Sequence, residues 1–448
     1  MLTYSAVIRD AILYIIPTKH PPYTFCCMPT YKGADKLRTM FTKSLALVVV
    51  SILFAVCLIV SLRMVSVRFS PQYMFQSPSK MRNDPESLRF NGNGSFTIVQ
   101  FADLHYGDFP SADAMSTKVM FNVLDAETDV NFAVFTGDQV SGHAQENVRK
   151  TFALWTQALL PVVNHRIPFA TIFGNHDDQP YGFGPVVWVK WVNGILGVIV
   201  AIWLAVLSMH SIRRWIWFPS VCLAAALWIL FQVSPSTNMR RSLLSYEKTL
   251  FYPLSKTELG PRGLGGVSNY YLPVFHGEND MVLLFFLDSG GGRLPEKLSV
   301  AQIEWVGGVS ASFGNCHSMA FIHIPSYEYG STENFGCFGD EKLEEGSEVF
   351  DGDVGAPMAA LASVGVEAVF AGHNHRNSWC CVPTTRLPSA MPALCYGRHS
   401  GYGGYGDWIR GARVIRLSFQ DSKLAIDTWL RMEDKTVRAR GKLFPFSQ

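Results

Sequence analysis

Apolar runs of six to eight residues recur along the chain, and most stop at a turn followed by a chemically active side chain. SFTIVQFA (95–102), NFAVFTG (131–137), PFATIFG (168–174), MVLLFFLD (281–288), MAFIHI (319–324), EAVFAG (367–372) and RVIRLSF (413–419) are rich in β-branched and aromatic residues. Strands buried on both faces of a sheet have this composition. Between them, apolar positions fall at helical spacing over 112–126, 148–163, 298–311 and 355–364. Strands alternating with amphipathic helices predict an α/β fold. No internal repeat and no low-complexity segment interrupts the pattern.

Three much longer apolar runs are of another kind. SLALVVVSILFAVCLIVSL (44–62) is bounded by Lys43 and Arg63, and 191–212 and 215–239 are two uncharged runs separated by Arg213 and Arg214. Each is long enough to cross a ~30 Å hydrocarbon core as a helix. The first follows a basic stretch with Arg9, Lys19, Lys32, Lys36, Arg38 and Lys43, so it reads as an uncleaved signal anchor rather than a cleaved leader. The other two read as a helical hairpin, with Trp188, Trp191, Trp215 and Trp217 near the membrane interface. Basic residues stay on the cytosolic side when the N-terminus is cytosolic and the main domain is luminal or extracellular. The predicted organisation is a cytosolic basic tail (1–43), a transmembrane anchor (44–62), a Pro-, Asn- and Gly-rich linker (63–95), a globular domain (96–435) interrupted by the hairpin (188–239), and a C-terminal tail (436–448).

Composition now has a location. Charged residues are 17% of the chain, below the roughly 25% usual for soluble domains, and the three long runs account for the deficit. The formal net charge of +2 provides no field to attract nucleic acid, so that class of partner is disfavoured.

The candidate chemistry gathers where predicted strands stop. FADLHYGD sets Asp103 and His105 after one strand, FTGDQV sets Asp138, and FGNHDD sets Asn175, His176 and Asp177. FIHIP adds His323, and FAGHNH adds His373 and His375. Ligand crevices of α/β sheets lie at the carboxyl ends of the strands, so these distant residues can converge. Two carboxylates, four imidazoles and one amide oxygen form a mixed set suited to zinc, iron or manganese. Seven donors exceed one ion's needs; shared between two ions bridged by Asp138, each receives four.

The succession DxH, GD, GNHD, a later His and GHxH resembles the calcineurin-like metallophosphoesterase superfamily. FADLHYGD, FTGDQV, FGNHDD, FIHIP, AGHNHRNSWC and CYGRHSGYGGYGDWIRGARVIRL look more narrowly like the plant purple-acid-phosphatase-like and fungal membrane-anchored phosphatase branch. The resemblance implies a four-layer α/β/β/α sandwich. It also implies that Asp103, His105, Asp138 and His375 hold one metal ion and Asp138, Asn175, His323 and His373 the other. The pair would be divalent or mixed-valence, drawn from Fe, Zn or Mn. His176 would meet the phosphate or leaving oxygen and Asp177 would orient it, while a bridging hydroxide attacks phosphorus. Purple acid phosphatases carry a tyrosine three residues after the bridging aspartate, where Ser141 stands here, so no purple charge-transfer band is expected. Tyr106 is offset from that role.

Less specific signals complete the reading. Arg398 and His399, in a Gly-rich stretch, are candidate substrate-binding residues, with a solvated Arg and a structural His as the plain alternative. Lone histidines such as His143, His276 and His317 read as structural, and Glu341, Glu344 and Glu345 as a solvated acidic face. Of the cysteines on the extracytosolic side, Cys395 is expected to pair with Cys380 or Cys381. The expected activity is hydrolysis of a phosphomonoester, on a phosphoprotein or a small phosphate ester. A phosphodiesterase acting on nucleotides or lipid headgroups and a metal-binding scaffold without turnover are the alternatives.

Overall fold

The computed structural model describes residues 78–178 and 235–444, apart from 279, 293, 315, 333–334, 340–353, 385–390 and 421–422. The first two long apolar runs, residues 215–234 of the third, and the acidic stretch at Glu341 lie outside the described residues. Among the described residues, no helix is long and apolar enough to cross a membrane.

Six helices and fourteen strands are labelled here in chain order among the described residues: α1 (Pro78–Arg82), β1 (Leu88–Arg89), β2 (Ser95–Phe101), α2 (Pro110–Ala126), β3 (Val130–Thr136), α3 (Val148–Asn164) and β4 (Phe169–Ile172). From residue 235 follow α4 (Pro235–Leu250), β5 (Tyr270–His276), β6 (Asp280–Phe286), α5 (Val300–Phe313), β7 (His317–Phe321), β8 (Phe335–Phe338), α6 (Pro357–Ser363) and β9 (Val366–Ala371). The chain closes with β10 (Cys380–Pro383), β11 (Ala393–Tyr396), β12 (Gly411–Gln420), β13 (Lys423–Met432) and β14 (Val437–Phe444). Two sheets result, one in the order β1-β5-β6-β7-β9-β11-β10-β8 and one in the order β14-β13-β12-β2-β3-β4.

The period-2 alternation of the strands decides how the sheets stack. Phe96 and Ile98 of β2 face the inner core with Phe132, Phe286, Phe321, Phe370, Ile415 and Ile426, a cluster drawn from both sheets. Val99 and Phe101 face the opposite way, onto Val119, Met120 and Val123 of α2 and Leu154, Trp155 and Leu159 of α3. On the far side, Trp305 of α5 packs against Phe285 of β6 with ring centroids 6.0 Å apart. The layers therefore run helix, sheet, sheet, helix. Strands β2, β3 and β4 are mutually parallel, as are β6, β7, β9 and β11, so within each sheet their carboxyl ends emerge on one edge.

Three predicted boundaries move. Residues taken as linker already belong to the fold, because Leu88 and Arg89 pair with Val274 and Phe275 of β5; a two-residue strand is too short to show a period. The tail taken to start at 436 contains β14, which pairs with β13 as an edge strand. Its sequence VRARGKLF hides that behind three basic residues, the kind of charge that protects sheet edges. Helix α4 starts at Pro235, inside the stretch read as the end of the hairpin. Strand β5 was not expected either, since Pro273 interrupts its pattern.

Candidate metal centre

The loops that follow β2, β3, β4, β7 and β9 bring all seven candidate donors together. Nε2 of His105 lies 3.1 Å from Nε2 of His375 and 3.6 Å from Oδ2 of Asp138. Asn175 Oδ1 lies 2.9 Å from His323 Nε2 and 3.1 Å from His373 Nδ1, which are 3.3 Å from each other. The same Asp138 Oδ2 is 3.3 Å from His323 Nε2. One carboxylate oxygen thus stands between two groups: Asp103, His105 and His375 on one side, His323, His373 and Asn175 on the other. Both sheets contribute, and Asp103 ties them directly by accepting the backbone N–H of His373 at 3.0 Å.

Burial makes the arrangement costly without a cation. Asp103, His105, Asp138, His323 and His375 are all buried. Lone pairs of imidazole and amide oxygen converge at contact distance, and only a proton or a metal ion between them removes the repulsion. Nδ1 of His323 lies 2.8 Å from the carbonyl oxygen of Thr136, which can only accept, so Nδ1 carries the proton and Nε2 points into the cluster. Burial holds His105 down at about 4 and pushes Asp103 up to about 7. For His323 burial acts downward, but the facing Asp138 outweighs it and the imidazole rises to about 9. Asp138 itself is driven up by burial and more strongly down by His323, His176 and His105, ending well below the usual carboxylate range.

Backbone strain marks the same positions. Asp103 (φ 57°), His105 (φ 48°), Asp138 (φ 56°) and His373 (φ 73°) occupy the left-handed region, at a cost of order 1–3 kcal/mol each. Glycine relieves crowding where loops cross. A Cβ on Gly137 would lie 2.5 Å from His323 Nδ1, and one on Gly174 would lie 2.1 Å from Asp138 Oδ1.

His176 sits at the mouth. Its side chain is 37% exposed, its ring is 5.1 Å from that of His105, and its Nε2 is 4.0 Å from Asp138 Oδ2. Asp177 does not orient that ring. Its carboxylate is fully buried and accepts three backbone N–H groups, from Gly174 at 2.7 Å, Asp138 at 2.9 Å and Val140 at 3.0 Å. It fixes the two ligand loops against each other. Tyr106 is no ligand, because its hydroxyl lies 2.9 Å from Thr117 Oγ1 on α2. Ser141 is near the cluster, with Oγ 3.5 Å from His105 Nδ1.

The Gly-rich stretch departs from expectation. Arg398 is buried and gives its guanidinium to the carbonyl of Ile409 and to Ser378 Oγ, while His399 is buried with its ring 4.0 Å from that of His375. Both are packed in the loop behind His375, in place of the solvated arginine of the plain alternative. Three residues absent from the expected set take part. Tyr405, 52% exposed, stacks on the other side of the site at 4.1 Å from the His375 ring with planes 10° apart. His143 lies 3.0 Å from Asp108, whose other oxygen accepts the N–H of Gly404 at 2.6 Å. Arg240, wholly buried, bonds Asp178 at 2.8 Å, Asp288 at 2.6 Å and the carbonyl of Gly174 at 3.1 Å. The GYGGYG run was a sequence signal for Tyr405; Arg240 had none, because an arginine after a long apolar run reads as a membrane flank.

Two disulfides staple the sheet beside this loop. Cys380–Cys395 joins register partners of β10 and β11, as one of the expected pairings had it, and Cys337–Cys381 joins β8 and β10. Cys316 is free.

Two stacked sheets with paired His and Asp groups at their strand ends match what the metallophosphoesterase resemblance implies. Residues 96–218 match the family model for calcineurin-like phosphoesterases. Among curated proteins it is similar to probable inactive purple acid phosphatase 29 of Arabidopsis thaliana, 24% identical over 411 residues, covering 80% of this chain and 88% of that one. It is also similar to phosphatase DCR2 of Saccharomyces cerevisiae, 26% identical over 395 residues, covering 80% of this chain and 57% of the yeast protein. Among solved structures it is similar to purple acid phosphatase PPD1 of yellow lupin, at 12% identity and a TM-score of 0.41, covering 80% of this chain and 54% of that one.

Proposed function

We propose that the protein is a membrane-anchored, metal-dependent phosphomonoester hydrolase. The observation that carries this reading is the single Asp138 oxygen shared by two buried donor groups, with a half-exposed imidazole, His176, at their mouth. Asp103, His105, Asp138 and His375 would hold one ion, and Asp138, Asn175, His323 and His373 the other. Such a pair supplies Lewis-acid stabilisation of phosphoryl charge and an acidified water at neutral pH. The residues of the chain supply the rest. Asp138 fixes the spacing of the two groups and, by accepting the backbone N–H of His176 at 2.8 Å, fixes His176 relative to both. His176 donates the proton on its imidazole to the departing alkoxide oxygen. Asp177 holds the loops of Asp138 and Asn175 in register.

The plant relative bears the name of a probable inactive phosphatase, and Ser141 departs from the tyrosine of coloured family members. Ser141 removes no donor from the set of seven, all of which are present in this chain, and this favours turnover over a silent scaffold. A phosphoprotein or small phosphate ester is the proposed substrate. The anchor at 44–62 and a hairpin within 188–234 are proposed from the sequence, and the two disulfides support a luminal or extracellular domain, since such bonds persist in oxidising compartments. The test is metal analysis of purified protein with a panel of mono- and diesters, wild type beside Asp138→Asn. Two ions per chain and monoester turnover lost in the variant are expected. Full turnover by folded Asp138→Asn overturns the reading, and diester preference replaces it with the phosphodiesterase.

A further inference from the structure

We infer that Asn93 is a modification site carrying one N-linked oligosaccharide. The 448 residues contain a single Asn-x-Ser/Thr sequence with x other than proline, Asn93-Gly94-Ser95. It falls in the tight turn that leads from β1 into β2, closed by the Gly94 N–H on the Asn91 carbonyl at 2.9 Å and by the Asn91 N–H on the Ser95 carbonyl at 2.8 Å. Asn93 is exposed. Its Oδ1 accepts from the Ser95 hydroxyl at 2.8 Å and the Ser95 N–H at 3.1 Å, so both bonds use the oxygen and neither uses Nδ2, the atom that takes the sugar. The neighbouring Gly92 faces open space, with nothing within 4 Å of the position a Cβ would take.

An independent observation speaks to the compartment. Of Cys316, Cys337, Cys380, Cys381 and Cys395, four are joined in two disulfides. A chain oxidised in this way matures where oligosaccharide is transferred to asparagine. In the transfer, a bond forms between Asn93 Nδ2 and C1 of a lipid-diphosphate-linked oligosaccharide. The bond from C1 to the diphosphate oxygen breaks, and the lipid diphosphate leaves with the electron pair while the amide loses one proton.

The position also fixes what the glycan can do. Asn93 precedes the first residue of β2 and Asp103 follows the last, so they are separated by the length of a seven-residue strand, roughly 20 Å at the usual rise. The oligosaccharide sits at the end of the sheet away from the donor cluster and leaves its mouth open. It lies instead beside β1, the edge strand of the eight-stranded sheet, where bulk and hydration shield an edge from further pairing.

The full-length chain expressed in a eukaryotic cell with a secretory pathway provides the test. Wild type, Asn93→Gln, Ser95→Ala and Ser95→Thr are compared by gel mobility before and after peptide N-glycosidase. Wild type and Ser95→Thr are expected to drop by one discrete step on treatment. Asn93→Gln and Ser95→Ala should run with the deglycosylated wild type and not move. A wild-type chain with no step, or a step that survives in Asn93→Gln, overturns the assignment. The mobility step needs no turnover, so it stands or falls apart from the hydrolase reading. Hydrolysis of an aryl phosphate by the wild type should be unchanged by deglycosylation, and a large loss would contradict the placement away from the mouth.

Discussion

Arg240 has no exposed surface, yet it sits between the carboxylates of Asp178 and Asp288 and against the carbonyls of Gly174, Gly290 and Gly291. Removing one partner of such a group strands buried charge, which costs roughly 3–5 kcal/mol. Arg240→Met should therefore lose about that much stability in urea unfolding; a loss inside the roughly 0.5 kcal/mol of an ordinary surface change would show that water already solvates the carboxylates. His176 is the opposite case. Its ring is 37% exposed and its hydrogen bonds run through the backbone, the N–H to Asp138 and the carbonyl from Gln145 Nε2, so His176→Ala should fold and retain metal. General-acid help is worth roughly 10²–10⁴-fold, and it matters only where the departing oxygen needs a proton. The variant is expected to lose turnover of alkyl phosphates by that order and much less of an activated aryl phosphate. Equal losses on both substrates would remove His176 from the acid role.

Helix α4 shows how an element can be written into the fold by one buried group. Glu247 accepts from Trp155 Nε1 of α3 at 2.9 Å, Thr171 Oγ1 of β4 at 2.9 Å and Ser255 Oγ at 2.7 Å, so its carboxyl joins three segments around one point. Burial raises this carboxyl above its ordinary 4.5, and the donors only partly offset that. A raised acid adds stability that is complete below its unfolded value and fades as pH rises through the folded one. Glu247→Gln cannot ionise, so it should gain on the wild type as pH climbs from about 4.5, measured as the difference in urea unfolding at successive pH values. A gap independent of pH would mean that Glu247 is solvated in the folded state. Elements of this sort separate what the sequence could reveal from what it could not. Strands β2, β3, β4, β6, β7, β9 and β12 were legible because buried strands need uninterrupted apolar runs, and their ends exposed the donors. β1 is two residues long, β5 contains Pro273, and β14 alternates with Arg438, Arg440 and Lys442, so each lacks a periodic apolar signal. The burial of Arg398 and His399 was not legible because a Gly-rich loop looks exposed in sequence, whereas here Arg410 pulls it inward through the carbonyls of Gly401, Gly406 and Trp408.

The donor cluster is also the seam of the whole domain. Asp103, His105, Asp138 and Asn175 follow strands of the six-stranded sheet, whereas His323, His373 and His375 follow strands of the eight-stranded one. Across that seam the His105 and His375 nitrogens stand 3.1 Å apart, and Asn175 Oδ1 stands 2.9 Å from His323 Nε2. Four of these residues hold left-handed backbone angles, so strain and converging lone pairs both oppose closure of the two sheets at this edge. Inner-core packing of Phe96, Ile98, Phe286 and Phe321, the last two at the carboxyl ends of β6 and β7, favours closure. Ions held by both sheets would bind the folded chain and not the unfolded one, which adds about 2.7 kcal/mol at a free concentration one hundred times the dissociation constant. Chelation of the purified protein should lower Tm, and readdition of zinc or manganese should restore it in a concentration-dependent way. His323→Ala and Asp103→Ala, one from each sheet, should both flatten that response. If Tm is indifferent to chelator while the metal content falls to zero, core packing alone closes the sheets and the seam contributes nothing to holding the domain together.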